Sequence, residues 1–161
     1  MYINKHNGFT LLEVMVALVI FSIGLIGLAG LQGLSMQNNQ VAYSRTLATQ
    51  LAYDMADRIR NNPTGTYSTL SIPATAPASC LTTSASCGVA EMAQYDMWEW
   101  SQEVKDKNSG LTNPQMFISF SDPNYTISIG WDENRQGLTG TYDCAALTPT
   151  GVECVNLVIT P

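Results

Sequence analysis

The sequence predicts an α+β protein in which a long N-terminal α-helix packs on a small antiparallel β-sheet. Two patterns predict the helix: an apolar run from Phe9 to Leu31, and an apolar stripe at helical spacing that continues to Ile59. Alternating apolar and polar residues over 125–131 and 154–160 predict strands of the sheet. The expected layout is a helix with a membrane-spanning half and an amphipathic half, followed by a globular head.

The apolar run is long enough to cross a membrane, since about 20 residues of α-helix span a hydrocarbon core about 30 Å thick. It carries one carboxylate, Glu13. A charge inside hydrocarbon costs a few kcal/mol, so such a residue indicates a function, and we expect Glu13 to meet an opposite charge. The alternative is a glutamate tolerated near the cytoplasmic interface, where it reaches lipid headgroups.

The residues before the apolar run form a short polar leader that carries Lys5 and His6 and ends at Gly8. A secretory signal peptide has its small-residue cleavage site after the apolar region, whereas here the small-residue junction, Gly8 to Phe9, precedes it. Cleavage at this junction would leave the apolar helix on the mature chain. Because Lys5 precedes the span and the next basic residue is Arg45, the amino end is predicted to face the cytoplasm.

The junction resembles the prepilin signature of class III signal peptides, in the residues GFTLLE at positions 8–13. The stretches 14–32 and 42–63 resemble the PilV family of type IV minor pilins, the type IV pilus modification proteins. This resemblance implies the type IV pilin-like fold, cleavage after Gly8 by a prepilin peptidase and N-methylation of Phe9. It also implies that Glu13 forms a salt bridge with the amine of Phe9 in a neighbouring subunit, a pair that would set register rather than add much stability.

The PilV resemblance further implies a minor pilin that takes part in initiating pilus assembly, at or near the tip. Its expected partners are other minor and major pilins, the prepilin peptidase and the inner-membrane assembly platform, and its expected roles are twitching motility and adhesion. The protein would be a single-pass inner-membrane protein before assembly and part of the extracellular pilus afterwards. A pseudopilin of a type II secretion system and a pilus-tip adhesin are the alternatives, and the stretch 51–60 favours the pilus.

Four segments are expected along the chain: the cleaved leader 1–8, the transmembrane or filament-core helix 9–31, its amphipathic continuation 32–62, and the head 63–161. Pro63 marks the end of the helix, because the residue before a proline is disfavoured in helical conformation. The continuation carries an apolar stripe that should pack under the head. Its members are Leu34, Val41, Ala48, Leu51, Met55 and Ile59.

The head is predicted to contain a loop region over 64–90, one helix and three strands. The helix is expected over 91–107, with the strands at 116–121, 125–131 and 154–160. The apolar face of the helix is formed by Ala93, Met97, Trp100 and Val104. Trp98 and Trp100 are interpreted as core residues rather than as an aromatic ligand patch, since tryptophans at helical spacing are usually buried.

The four cysteines, Cys80, Cys87, Cys144 and Cys154, predict disulfides, because an even number lies on the non-cytoplasmic side of the membrane. Three connectivities are possible. The pairs Cys80–Cys87 and Cys144–Cys154 are preferred because each closes a short loop, and the second resembles the carboxy-terminal disulfide loop of many type IV pilins. A four-cysteine metal site is disfavoured, because the sequence has no C-x2-C pair.

Composition disfavours several classes of function. The formal net charge is −6, and loss of the leader removes one of seven basic residues, leaving six against thirteen acidic ones. Such a surface is a poor match for phosphates, so no nucleic-acid partner is expected. The mature chain also loses the only histidine, which disfavours histidine-dependent hydrolysis and common zinc sites.

No catalytic pattern is present in the sequence, and we expect neither an enzyme nor a bound cofactor or metal. The acidic stretch Asp132-Glu133-Asn134 is interpreted as a solvated hairpin connection. A calcium loop is the alternative, but the ordered ligand spacing of such loops is missing.

Overall fold

The computed structural model describes residues 8–68, 72–82, 86–106, 109–137, 144 and 151–161. The predicted leader, apart from Gly8, lies outside these residues. The structure divides into two compact units, Met1–Gln40 and Val41–Pro161. The helices and strands, in chain order, are α1 Leu11–Asn61, a 3-10 turn Ala78–Cys80, α2 Val89–Lys105, β1 Gln115–Ser121, β2 Asn124–Asp132 and β3 Val152–Ile159.

The described part of the first unit is the beginning of α1 and the three residues that precede it. Every residue from 8 to 40 is exposed. By length and composition α1 can cross a membrane, since an 18-residue window in it reaches a mean hydropathy of 2.6 with none of that window buried. The prediction that Leu34 belongs to the packed stripe is wrong, because this side chain is 60% exposed and lies in the first unit.

In the second unit, one face of α1 is buried at helical spacing. Its buried residues are Ser44, Ala48, Ala52, Met55, Ala56 and Ile59. Three members of the predicted stripe are among them, while Val41 and Leu51 are half-buried. The buried serine and the two further alanines were not predicted. Small side chains of this kind allow a close approach between the helix and the elements packed on it.

The sheet is antiparallel, with the strand order β1-β2-β3. In the central strand, Tyr125, Ile127, Ile129 and Trp131 are buried, as the alternation predicted. Ile127 pairs with Ile118 of β1 on one side and with Leu157 of β3 on the other, so one face of the sheet is apolar. This face completes the hydrophobic core with α1 and α2.

Helix α2 begins and ends two residues earlier than predicted. The backbone N–H of Gly88, just before the helix, donates to the carboxylate of Glu91 at 2.9 Å, which satisfies a group at the helix start. The predicted apolar face is confirmed, since its four residues are all buried. Only one of the two tryptophans is in the core: Trp100 is fully buried, whereas Trp98 is half-buried beside Tyr95, with the ring centres 5.9 Å apart.

Two disulfides are present in the second unit. Cys80 is bonded to Cys87 with a Cα–Cα distance of 4.8 Å, and Cys144 to Cys154 with a distance of 5.8 Å. The first bond joins the 3-10 turn to the residues just before α2, and the second fixes Cys144 to strand β3. Both bonds therefore tie irregular chain to an element of the fold.

Candidate functional site

The predicted processing residues lie where α1 begins. Gly8, Phe9 and Thr10 precede the helix, and all three are exposed. Phe9 is 81% exposed, which leaves the Gly8–Phe9 peptide bond in non-helical, accessible chain. Glu13 lies in the first turn of the helix, where a carboxylate is favoured by the positive end of the helix dipole.

Thr10 has the hydrogen bonds of a helix N-cap. Its side-chain oxygen accepts from the backbone N–H of Glu13 at 3.3 Å, and its carbonyl accepts from the N–H of Val14, also at 3.3 Å. The bond from Glu13 provides an acceptor for an N–H group that has none within the helix. The bond from Val14 is the first backbone hydrogen bond of the helix. The boundary between non-helical and helical chain therefore falls at Thr10.

Glu13 lies on an apolar surface. It shares a shallow groove with Phe9, Val14, Ala17, Leu18 and Phe21. Of the ion pairs in the described part of the chain, none involves Glu13, and all lie in the second unit. If other helices covered this groove, the Glu13 carboxylate would be removed from water and would need a cationic partner.

The part of α1 up to residue 33 offers a largely apolar surface with four glycines at three-residue intervals. A Cβ atom added at Gly24, Gly27, Gly30 or Gly33 would meet nothing within 4 Å. The described chain therefore gives no packing reason for these glycines. Small residues in apolar helices allow neighbouring helices to approach closely, and glycines at this spacing suit such a contact.

In the second unit, Arg58 of α1 lies among four carboxylates. Its guanidinium contacts Asp54 at 2.9 Å, Glu99 at 2.5 Å, Glu103 at 3.4 Å and Asp96 at 3.9 Å. Burial alone lowers the pKa of Arg58, but the hydrogen bonds to Glu99 and Asp54 and the nearby charges outweigh it and raise the pKa. This Arg58 cluster joins α1 to α2 by charge-assisted hydrogen bonds.

The Arg58 cluster was not predicted from the sequence, although two local signals were present. Asp54 precedes Arg58 by four residues, a spacing that brings two side chains together on a helix. Asp96, Glu99 and Glu103 recur at intervals of three and four residues, so they share one face of α2. Glu99 and Glu103 lie outside the predicted apolar face of α2, and both meet the guanidinium.

A buried tyrosine extends this cluster to the turn that follows α1. The hydroxyl of Tyr67 donates to Asp96 at 2.7 Å and accepts from the side-chain amide of Asn62 at 3.2 Å. Burial, followed by the hydrogen bond to Asp96, raises the pKa of Tyr67. Burial also raises the pKa of Asp96, while the hydrogen bond from Tyr67 and the charge of Arg58 act in the opposite direction.

The acidic stretch that follows β2 is engaged in a turn. The buried carboxylate of Asp132 accepts the backbone N–H groups of Gln136 at 3.1 Å and Gly137 at 2.9 Å. Glu133 accepts a hydrogen bond from the indole of Trp131. Within the described residues no group of three or more His, Cys, Asp and Glu side chains could hold a metal ion. This stretch therefore forms a turn after β2, held by hydrogen bonds from backbone N–H groups to Asp132.

Two family models match consecutive parts of the chain. Residues 3–29 match the prokaryotic N-terminal methylation motif, and residues 30–98 match the Tt1218-like family, described as type IV pilin Tt1218. The second match covers the end of α1, all of the Arg58 cluster except Glu99 and Glu103, and the first disulfide. No curated protein and no solved structure matches the chain.

These matches agree with the architecture and with the residues at the start of α1. Both the predicted pilin-like α+β fold and the expectation of a structural, non-enzymatic protein are confirmed. The expectation of a class III prepilin signal is confirmed as well, while membership of the PilV family stays a prediction. The chain is a type IV pilin that carries an N-terminal methylation motif followed by a Tt1218-like pilin domain.

Proposed function

We propose that this pilin is a minor subunit that takes part in initiating assembly of a type IV pilus, at or near its tip. The observation that carries the proposal is the apolar run of residues 9–31, which is exposed along its whole length and interrupted by a single carboxylate, Glu13. A surface of this size cannot remain in water, so it requires a membrane first and neighbouring helices afterwards. The minor role is supported by the resemblance of residues 42–63 to the PilV family.

Cleavage of the leader would create the positive charge that pairs with Glu13 in the filament. The prepilin peptidase adds water across the Gly8–Phe9 bond, which leaves the carboxylate on Gly8 and a free amine on Phe9. N-methylation of that amine keeps its positive charge. In the filament, Glu13 of one subunit would pair with the amine of Phe9 of the next. Each charge offsets the desolvation of the other, so the pair favours one register between the helices.

The proposed location follows from charge and redox chemistry. Lys5 before the span favours an amino end in the cytoplasm, which would put the head on the periplasmic side. The two disulfides support this orientation, because such bonds persist in oxidising compartments. The proposed partners are other minor and major pilins, the peptidase and the inner-membrane platform. After assembly the subunit would be extracellular and support twitching motility and adhesion.

The first test is to count surface pili after deletion of this gene, in a strain that cannot retract its pili. An assembly initiator predicts a large loss of pili that the plasmid-borne gene restores. A pilus-tip adhesin predicts normal pilus number with reduced attachment, and a type II pseudopilin predicts normal pili with reduced protein secretion. Mass spectrometry of sheared filaments should also find this subunit with N-methylated Phe9 at its amino terminus, and an intact leader on filament-borne protein would contradict the proposal.

A further inference from the structure

The start of α1 has a bearing on how the prepilin is cleaved. A peptide bond inside a helix is held by backbone hydrogen bonds, so proteolysis favours exposed chain outside regular structure. In this structure the Gly8–Phe9 bond is exposed and non-helical, and the helix begins only two residues later, at Leu11. The position of the helix start therefore decides whether the bond to be cut is accessible.

Apart from the side chain of Thr10, little in the local sequence makes the helix begin at Leu11. Glycine at position 8 disfavours a helix, but neither Phe9 nor Thr10 prevents one by its backbone. What distinguishes Thr10 is its hydroxyl, which accepts the N–H of Glu13 at 3.3 Å. The residues TLLE at positions 10–13 also have the spacing of a capping box, in which a glutamate at the third helical position supports the cap.

We propose that Thr10 is a positioning residue for prepilin cleavage: its N-cap makes the helix begin at Leu11 and presents the Gly8–Phe9 bond to the peptidase as non-helical chain. An N-cap residue has non-helical backbone angles, so a helix capped here cannot include the bond. The same cap leaves the new amine of Phe9 outside the helix, where it is free to reach another subunit. This inference rests on the proposed function, because it requires that cleavage occurs after Gly8.

Helix capping by Thr10 can be distinguished from direct recognition of its side chain by the peptidase, because the two depend on different properties of the substituted residue. Serine and asparagine cap helices at least as well as threonine, whereas valine and alanine do not. Valine has nearly the shape of threonine, and asparagine does not. Capping therefore predicts that Thr10→Ser and Thr10→Asn are cleaved like the wild type, while Thr10→Val and Thr10→Ala are cleaved more slowly. From the usual strength of a cap, the expected loss is about fivefold.

The experiment uses the full-length prepilin in membranes, with purified prepilin peptidase and the initial rate of leader loss measured by mass spectrometry. Hydrogen exchange at the Leu12 amide, followed by NMR in detergent micelles, checks where the helix begins. In a helix that begins at Leu11 this amide has no helical acceptor, whereas in a helix that extends over Thr10 it donates to the carbonyl of Gly8. The Leu12 amide should therefore exchange fast in the wild type and in Thr10→Ser, and should be protected in Thr10→Val. Slow cleavage together with a protected Leu12 amide in the same variants is the expected result.

Two outcomes would overturn the proposal about Thr10 alone. Equal cleavage of all five proteins would show that the cap is irrelevant to cleavage, and tolerance of valine with rejection of asparagine would show that the peptidase recognises the shape of the side chain. If the wild type itself is not cleaved after Gly8, the processing step of the proposed function fails as well. The wild-type rate thus distinguishes the two failures.

Discussion

Arg58 of α1 and Glu99 of α2 are joined by a hydrogen bond of 2.5 Å between residues 41 positions apart in the chain. The Arg58 guanidinium is largely covered, with 18% of the side chain exposed, whereas Glu99 is 39% exposed. A largely covered charge requires its partners, because without them it is neither solvated nor paired. This contact therefore makes the packing of α1 on α2 depend on one basic residue.

Replacement of Arg58 by methionine should destabilise the protein by about 2 kcal/mol, because the carboxylates of the cluster are left without their cation. The measurement is chemical denaturation of the full chain in detergent, followed by near-ultraviolet circular dichroism. Arg60→Met is the matched control. Arg60 pairs with Asp57 at 3.0 Å, but both side chains are exposed, so the expected change is below about 0.5 kcal/mol. Equal losses in the two variants would contradict a specific role of Arg58.

The stability contributed by Asp96 should fall as the pH rises. Burial raises the pKa of Asp96 above its ordinary value of 3.8, so the folded protein favours the protonated form. The wild type should therefore be most stable, relative to Asp96→Asn, below pH 3.8, and should lose this advantage as the pH rises through the pKa of the folded state. Unfolding free energies of both proteins between about pH 3 and pH 8 test this. A difference that is independent of pH would argue against the prediction.

The two neighbouring tryptophans of α2 should respond differently to substitution. The indole of Trp100 is fully buried and donates to the backbone carbonyl of Leu51 at 2.9 Å. Trp100→Phe leaves a small cavity and removes the hydrogen bond to the Leu51 carbonyl, and should cost about 2 to 3 kcal/mol in unfolding free energy. Trp98→Phe, at a half-buried position, should cost less than about 1 kcal/mol. Denaturation curves of the two variants test this, and a larger loss at position 98 than at position 100 would contradict the prediction.

Each disulfide should stabilise the second unit by about 2.5 kcal/mol. The closed loops span 7 and 10 residues, and short loops of this kind restrict the unfolded chain moderately. The test compares the double variants Cys80→Ser/Cys87→Ser and Cys144→Ser/Cys154→Ser with the oxidised wild type by chemical denaturation. Reduction of the wild type should reproduce the sum of the two losses. Unchanged stability in either variant would show that its disulfide holds no ordered structure.

Glu13→Val should separate assembly from folding. Because Glu13 is exposed and lies in the first unit, its loss should change the unfolding free energy of the second unit by less than about 0.5 kcal/mol. The variant should enter the membrane, yet be absent from sheared filaments, since the amine of a neighbouring Phe9 would be buried without a partner. Glu13→Asp retains the charge and serves as the control. Recovery of Glu13→Val from filaments at the wild-type level would contradict the proposed salt bridge.

The sequence by itself determined the features that depend on neighbouring residues. The methylation motif around Gly8 and Phe9 is contiguous, so it was recognised without a structure. The bounds of α1, α2 and the three strands were predicted within two residues, because helical and alternating patterns are local. The apolar face of α2 was likewise correct.

Only the tertiary structure decided which surfaces meet. Trp98 and Trp100 have similar neighbours in the chain, and the packing of α2 on α1 and the sheet buries the second and leaves the first half-exposed. Arg58 meets Glu99 and Glu103 across 41 and 45 residues, a distance at which no periodic pattern connects them. The physical reason is that burial and long-range pairing depend on how elements pack, whereas periodicity specifies only the element to which each residue belongs.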